Sequence, residues 1–205
     1  MNELCLILYE ILCEALPLGI SLGLLAAHCR QEEMPLSPAG LGAAGLMGLY
    51  IMAVLHFTGA GTLGSGLMLG LNLSHVNLIP FSQHPVSMFG YCLNILLFVP
   101  LGFLAPLIFR DCRPLQNTLG LGFGFSLLVE ASQILSFRAT DVDDLIMNTL
   151  GALAGWGLYR LTCRFLPRGN LPRPCLTTAV LAPFLGRFFL YYELCFVHWM
   201  YELRH

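Results

Sequence analysis

The 205-residue chain contains no lysine; its ten basic residues are all arginine. That absence excludes a Walker A lysine, a Schiff-base lysine and lysine-dependent acylation motifs together. Charge of either sign is scarce, at 11% of residues, where soluble domains carry about 25%. The formal net charge of -2 leaves no basic field to hold nucleic acid. Eight cysteines form no C-x-x-C pair, so zinc-ribbon and thioredoxin readings fail. Metal-binding HExxH or HxxxH spacings and repeats of fixed period are also missing. What remains is apolar: 57% of residues are hydrophobic, and the mean hydropathy is +0.73. Too few polar groups are present to cover a water-soluble fold, so composition specifies an integral membrane protein.

A membrane helix needs about 20 mostly apolar residues. Six windows qualify, near 4–28, 41–57, 89–109, 115–137, 145–161 and 176–199, the fifth reaching a full span if its helix starts near Asp141. The expected fold is an all-α, polytopic transmembrane helix bundle of about six spans. The first window carries Glu10 and Glu14 and lacks a basic leader and a small-residue cleavage site, so it reads as a retained helix. The glycine-rich run at 59–70 reads as a re-entrant or interfacial segment, or as a loose continuation of the second helix. A phosphate-cradling loop would need a preceding strand.

Orientation follows from arginine. Arg30, Arg110, Arg113, Arg160, Arg164, Arg168 and Arg173 fall in alternate connections, whereas Arg138 and Arg204 lie on the other side and Arg187 inside the sixth window. The seven-to-two bias makes the first set cytoplasmic and turns both termini, residues 59–87 and the connection around Arg138–Asp144 outward. The cysteines fall in spans or at cytoplasmic ends, which suits small buried apolar residues rather than disulfides.

Charged groups inside a bilayer cost roughly 2.5–3.5 kcal/mol each. Yet the windows contain Glu10, Glu14, Glu130, Arg187 and Glu193, with Asn94, Gln133, Asn148 and His198 nearby. Counting about 1.5 Å per residue places them in or near the outer half of the bilayer. A polar cavity open to the outside is expected, with Arg187 forming a structural ion pair with Glu14 or Glu10.

Two stretches order the remaining polar residues. The first holds Asn77-Leu-Ile-Pro80-Phe81 and then Asn94, Phe98, Pro100 and Gly102. The second holds Glu130 and Gln133, then Arg138, Asp141 and Asp144, then Asn148, Gly151 and Gly155. This ordered set, NxxPF, NxxxFxPxG, ExxQ, RxxDxxD and NxxGxxxG over about 85 residues, resembles the VanZ-like family, named for a teicoplanin-resistance protein. The resemblance divides the chain into a two-helix membrane segment at 1–72, a VanZ-like core at 73–163, and an Arg-rich cytoplasmic loop with a last membrane helix at 164–205. It implies a multi-pass protein of the bacterial cytoplasmic (inner) membrane, associated with low-level glycopeptide resistance, and no settled reaction.

Locally, Thr140 reads as the N-cap of the fifth long helix, with Asp143 completing a box of capping type and otherwise pointing away from the site. Asp141, Asp144 and Asn148 at i, i+3 and i+7 share one helical face. Gly151 and Gly155 permit close helix approach. The expected ligand-binding set is Asn77, Asn94, Glu130, Gln133, Arg138, Asp141, Asp144 and Asn148. No cofactor and no metal are expected, although His75 and His84 flank the first motif. The partner is the lipid bilayer together with a lipoglycopeptide, a lipid-linked cell-wall precursor or a polyprenyl phosphate; no oligomeric state is read. Two alternatives stay open. One is an intramembrane enzyme with Glu130 as general acid or base. The other is a proton-coupled transporter using Glu10, Glu14 and Glu193.

Overall fold

The computed structural model describes residues 3–32, 36–70, 76–82, 88–136, 139–192 and 196. Among the described residues, six long helices form an all-α bundle of membrane type: α1 (Glu3–Gln31), α2 (Pro38–Thr58), α4 (Met88–Ile108), α5 (Leu115–Gln133), α6 (Val142–Thr162) and α7 (Arg173–Leu190). A seven-residue helix, α3 (Leu63–Leu69), follows α2. Three segments, Leu4–Gln31, Pro38–Met68 and Met88–Ile108, are long and apolar enough to cross a membrane by length and composition. The other long helices carry the polar groups Glu130, Asp144, Asn148 and Arg187, which lower their hydropathy.

Helix α1 shows the inverted patterning of a membrane element. Leu4, Leu8, Leu12, Leu16, Ile20 and Leu24 are exposed at helical spacing, whereas Glu10 and Glu14 are buried. In lipid the apolar face turns outward and the polar face inward. The core is filled by Met47, Ile51 and Leu55 of α2 against Phe98, Leu101 and Ala105 of α4, with Phe125 and Val129 of α5.

Glycine sets the tightest packing, between α4 and α6. A Cβ on Gly151 would overlap the Ile95 carbonyl oxygen, and one on Gly155 the Val99 carbonyl oxygen. From the opposite side, a Cβ on Gly102 would overlap the Ala152 carbonyl oxygen. The second close pair is α1 with α7, where Gly186 lies against the Cys13 carbonyl.

The last two long helices differ from the sequence windows. Helix α6 starts at Val142 and is capped by Asp141 rather than Thr140. The Asp141 carboxylate accepts the Asp143 amide at 2.9 Å, the bond that defines an N-cap. Thr140 is drawn instead into strand pairing, and its hydroxyl donates to the Glu130 carbonyl at 3.2 Å. Helix α7 begins at Arg173, three residues before its window, because Pro174 in the first turn presets the helical φ without loss of a hydrogen bond. It ends at Leu190, where Tyr191 turns extended.

Segment 59–70 is neither a loop nor a simple extension. Gly59, at φ 62°, ends α2 in the left-handed conformation. Thr62 then caps α3, accepting the Ser65 amide at 3.1 Å. Between them Gly61 lies against the Ser132 carbonyl, where no Cβ fits, and its amide donates to the Ser132 hydroxyl at 2.9 Å. The end of α2 is thereby fixed to the end of α5.

At the other end of the bundle, the α4–α5 and α6–α7 connections meet. Phe109 and Leu171 form a parallel bridge, the Gly169 amide donates to the Leu107 carbonyl at 2.9 Å, and the Arg113 guanidinium donates to the Gly169 carbonyl at 2.7 Å. The α1–α2 connection joins them, because Gly40 packs on Leu171. Arg30, Arg110, Arg113, Arg160, Arg164, Arg168 and Arg173 therefore share one end of the molecule. Cys112 is buried there, and burial pushes its thiol up to about 11, which leaves it protonated and inert at neutral pH.

Candidate functional site

The site end is organised by a two-stranded parallel sheet of minimal length. Strand β1 (Val76–Asn77) pairs with β2 (Thr140–Asp141), with Val76 opposite Thr140 and Asn77 opposite Asp141. The side chains repeat the pairing. The Asn77 amide donates to both carboxylate oxygens of Asp141 at 3.3 Å. The Asn77 carbonyl oxygen accepts the Ile79 amide at 3.2 Å and the Ser82 hydroxyl at 3.0 Å, closing the turn through Pro80. Asn77 and Asp141 thus bind the two motif stretches together.

Asp141 does not lie within α6 with Asp144 and Asn148; it is the cap residue. It precedes the helix at φ -129°, so helical periodicity does not extend to it.

Asp143 has a larger part than capping. It is 1% exposed. One oxygen accepts the Phe81 amide at 2.8 Å, and the other accepts the Tyr91 hydroxyl. Phe81 holds φ 56°, an unusual conformation for a bulky residue. Asp143 therefore connects the turn, the start of α4 and the start of α6. Neither this role nor Tyr91 was visible from sequence, because the donors lie 62 and 52 positions earlier in the chain.

Beneath this clasp lies an open cleft of about 570 Å³ between α2, α4, α5 and α6. Glu130, Gln133, Asn94, Asp144 and Asn148 form its polar part. Phe57, Leu93, Leu96, Leu97 and Pro100 form its apolar wall. Each polar group is held by a hydrogen bond. The Asp141 amide donates to Glu130 Oε2 at 3.1 Å. The Asn94 amide donates to Asp144. The Asn148 amide contacts the Ser126 hydroxyl at 2.9 Å. The Gln133 amide nitrogen donates to the Thr58 carbonyl at 2.8 Å. Tyr50 closes the α2 side by donating to the Leu97 carbonyl at 2.6 Å.

The cleft thus gathers Asn94, Glu130, Gln133, Asp144 and Asn148, while Asn77 and Asp141 stand behind it. Arg138, His75, His84, Glu193 and His198 lie outside the described residues. Among the described residues, no three His, Cys, Asp or Glu side chains converge as metal ligands.

The VanZ/LLP1 family model matches residues 44–164. The chain belongs to this family. No curated protein and no solved structure matches the chain. The match begins inside α2, upstream of Asn77, and contains every residue that lines the cleft. This is a VanZ-type membrane protein.

A second polar cluster joins α1 and α7, outside the VanZ/LLP1 match, to the end of α2. Arg187 of α7 donates to Glu10 and, at 3.0 Å, to Glu14, both on α1. Its Nε donates to the Ala60 carbonyl at 3.0 Å, and its guanidinium stacks 5.2 Å from the Tyr191 ring centre. Glu10 also meets His56 of α2 at 3.0 Å. Glu10, Glu14 and Arg187 are all buried. Two carboxylates around one guanidinium, with its Nε on a carbonyl, form a buried ionic group that joins α1, α2 and α7.

Proposed function

We propose that this VanZ-family protein binds an amphipathic molecule of the bacterial cell envelope in the α2–α4–α5–α6 cleft, and that this binding confers teicoplanin resistance. The ligand classes are a lipoglycopeptide antibiotic, a lipid-linked cell-wall precursor and a polyprenyl phosphate. The observation that carries the reading is the division of the cleft lining. The leucine, phenylalanine and proline side chains come from α2 and α4, whereas α5 and α6 contribute only Glu130, Gln133, Asp144 and Asn148. Such a lining matches a molecule with a hydrocarbon part and a polar head, since pockets combine apolar burial with a few polar groups that fix orientation.

The chain crosses the bacterial cytoplasmic membrane several times in this reading. Seven arginines share the end away from the cleft, so the positive-inside rule turns the cleft toward the outer leaflet. A second reading, acid–base chemistry at Glu130, draws on one feature. Glu130 is a buried carboxylate with no ion pair among the described residues, and its Oε2 is held by a backbone amide. The transport reading loses part of its basis, because Glu10 and Glu14 are bound to Arg187.

Teicoplanin susceptibility of a host expressing the protein tests the proposal, with membrane levels measured in parallel. Asp144→Ala and Asn148→Ala should return the host to the sensitivity of the empty vector. Glu130→Gln keeps a hydrogen-bonding group but abolishes proton transfer, so retained resistance supports binding and lost resistance supports catalysis. Full resistance in all three variants at normal membrane levels overturns the assignment of the cleft.

A further inference from the structure

Two side-chain carbonyl oxygens of residues that line the cleft, Gln133 Oε1 and Asn148 Oδ1, are buried without a hydrogen-bond partner among the described residues. Gln133 is 4% exposed and Asn148 2%. Buried polar groups are almost always paired, and an orphaned acceptor loses its hydration with nothing in return. Resting on the binding reading above, we infer that the head group entering this cleft presents neutral N–H or O–H donors, as an amide or a sugar does, rather than a bare phosphate, and that Gln133 determines this preference.

The orientation of Gln133 is fixed by its surroundings. Its nitrogen donates to the Thr58 carbonyl, and a carbonyl can only accept, so exchanging the two ends of the amide would set oxygen against oxygen. The backbone carrying it is fixed too, because Gly61 lies on the adjoining Ser132 carbonyl and bonds to the Ser132 hydroxyl. Oε1 is therefore a fixed, buried acceptor on a residue that lines the cleft. Asn148 is less constrained. Its contact is the Ser126 hydroxyl, which serves as donor or acceptor, so either end of that amide can point inward.

The other groups favour the same ligand. Glu130 and Asp144 bring carboxylates to the lining, and no described lining residue is cationic. A phosphate would bring only acceptors and more negative charge to this surface. Hydroxyls and amide N–H groups would meet Gln133 Oε1 and the carboxylates directly. A site built on such contacts rejects an analogue that lacks the donors, because its own buried acceptors are then left unpaired.

The test uses the full chain in lipid nanodiscs and three amphiphiles with one dodecyl tail. Dodecyl N-acetyl-β-glucosaminide carries hydroxyl and amide donors, dodecyl phosphate carries an anionic head, and dodecyltrimethylammonium carries a cation without donors. Dissociation constants are measured by native mass spectrometry titration. The glucosaminide should bind about tenfold or more tighter than either of the others. Gln133→Leu should reduce that preference. Because the substitution also strands the Thr58 carbonyl, the ranking in the unmodified protein is decisive by itself. Equal or tighter binding of the phosphate overturns the donor inference and leaves the binding reading standing. Tightest binding of the trimethylammonium probe also overturns it, since charge alone would then select the ligand. Failure of all three to bind overturns the binding reading and the inference with it.

Discussion

The hydroxyl of Tyr91 donates to the carboxylate of Asp143, joining the first turn of α4 to the first turn of α6 above the cleft. The same carboxylate accepts the Phe81 amide, so the turn after β1 is tied at the same point. Tyr91→Phe should therefore lower the unfolding midpoint, because the Asp143 carboxylate loses one of its two donors. Asp143→Ala should lower it further, since two donors lose their acceptor. Chemical unfolding of the detergent-solubilised variants measures both. An unchanged Tyr91→Phe midpoint would show that the clasp contributes nothing.

The parts of this site that were legible in the sequence were local. Gly102, Gly151 and Gly155 could be read as close-packing positions because glycine at helical spacing in an apolar segment has few other uses. Asp144 and Asn148 could be placed on one face because both lie inside α6. Asp143 was misread because its donors come from Phe81 and Tyr91, and no periodicity within α6 reports a distant amide. The helical wheel does not reach Asp141, which precedes the helix as its cap. Gln133 was selected for its spacing from Glu130, but its partner is a backbone carbonyl of Thr58, which has no signature in a sequence. Arg187 joins both glutamates because a long side chain spans the one-turn offset between Glu10 and Glu14.

Glycine contacts between α4 and α6 give a paired prediction. Gly155→Ala places a methyl group on the Val99 carbonyl, whereas the same group on Gly157 meets nothing within 4 Å. Overpacking costs about 1–3 kcal/mol, and exchanging an unconstrained helical glycine for alanine gains up to about 1 kcal/mol. Gly155→Ala should be destabilised and Gly157→Ala neutral or more stable. Equal thermal midpoints for the two would show that the helices separate freely.

The Glu10–Arg187–Glu14 group should respond asymmetrically. Arg187→Leu leaves two buried carboxylates without their cation and should cost about 3–5 kcal/mol. Glu14→Leu should be milder, since Arg187 keeps Glu10 and the Ala60 carbonyl. Adding Glu10→Gln and Glu14→Leu to Arg187→Leu should restore much of the folded yield, because no buried charge then remains unpaired. Folded yield by size-exclusion chromatography is the readout. Arg187→Leu and Glu14→Leu proteins of equal yield would show that the guanidinium is not the centre of the group.

Membrane orientation gives the last prediction. Bridging of Phe109 to Leu171 and packing of Gly40 on Leu171 bring three connections to one end, and the seven arginines come with them. Positive charge is retained on the cytoplasmic side, so Asn170 should face inward and Ala139, beside the β1–β2 pair, outward. Both residues are exposed and suit introduced cysteines. Gly169 does not, because any side chain there would press on Ile108. Cys112 adds no background at this end, being buried with its thiol pushed up to about 11. A membrane-impermeant maleimide applied to intact cells should label Ala139→Cys at once and Asn170→Cys only after permeabilisation. The opposite order would invert the topology and place the cleft on the inner leaflet, where an externally supplied glycopeptide could not reach it.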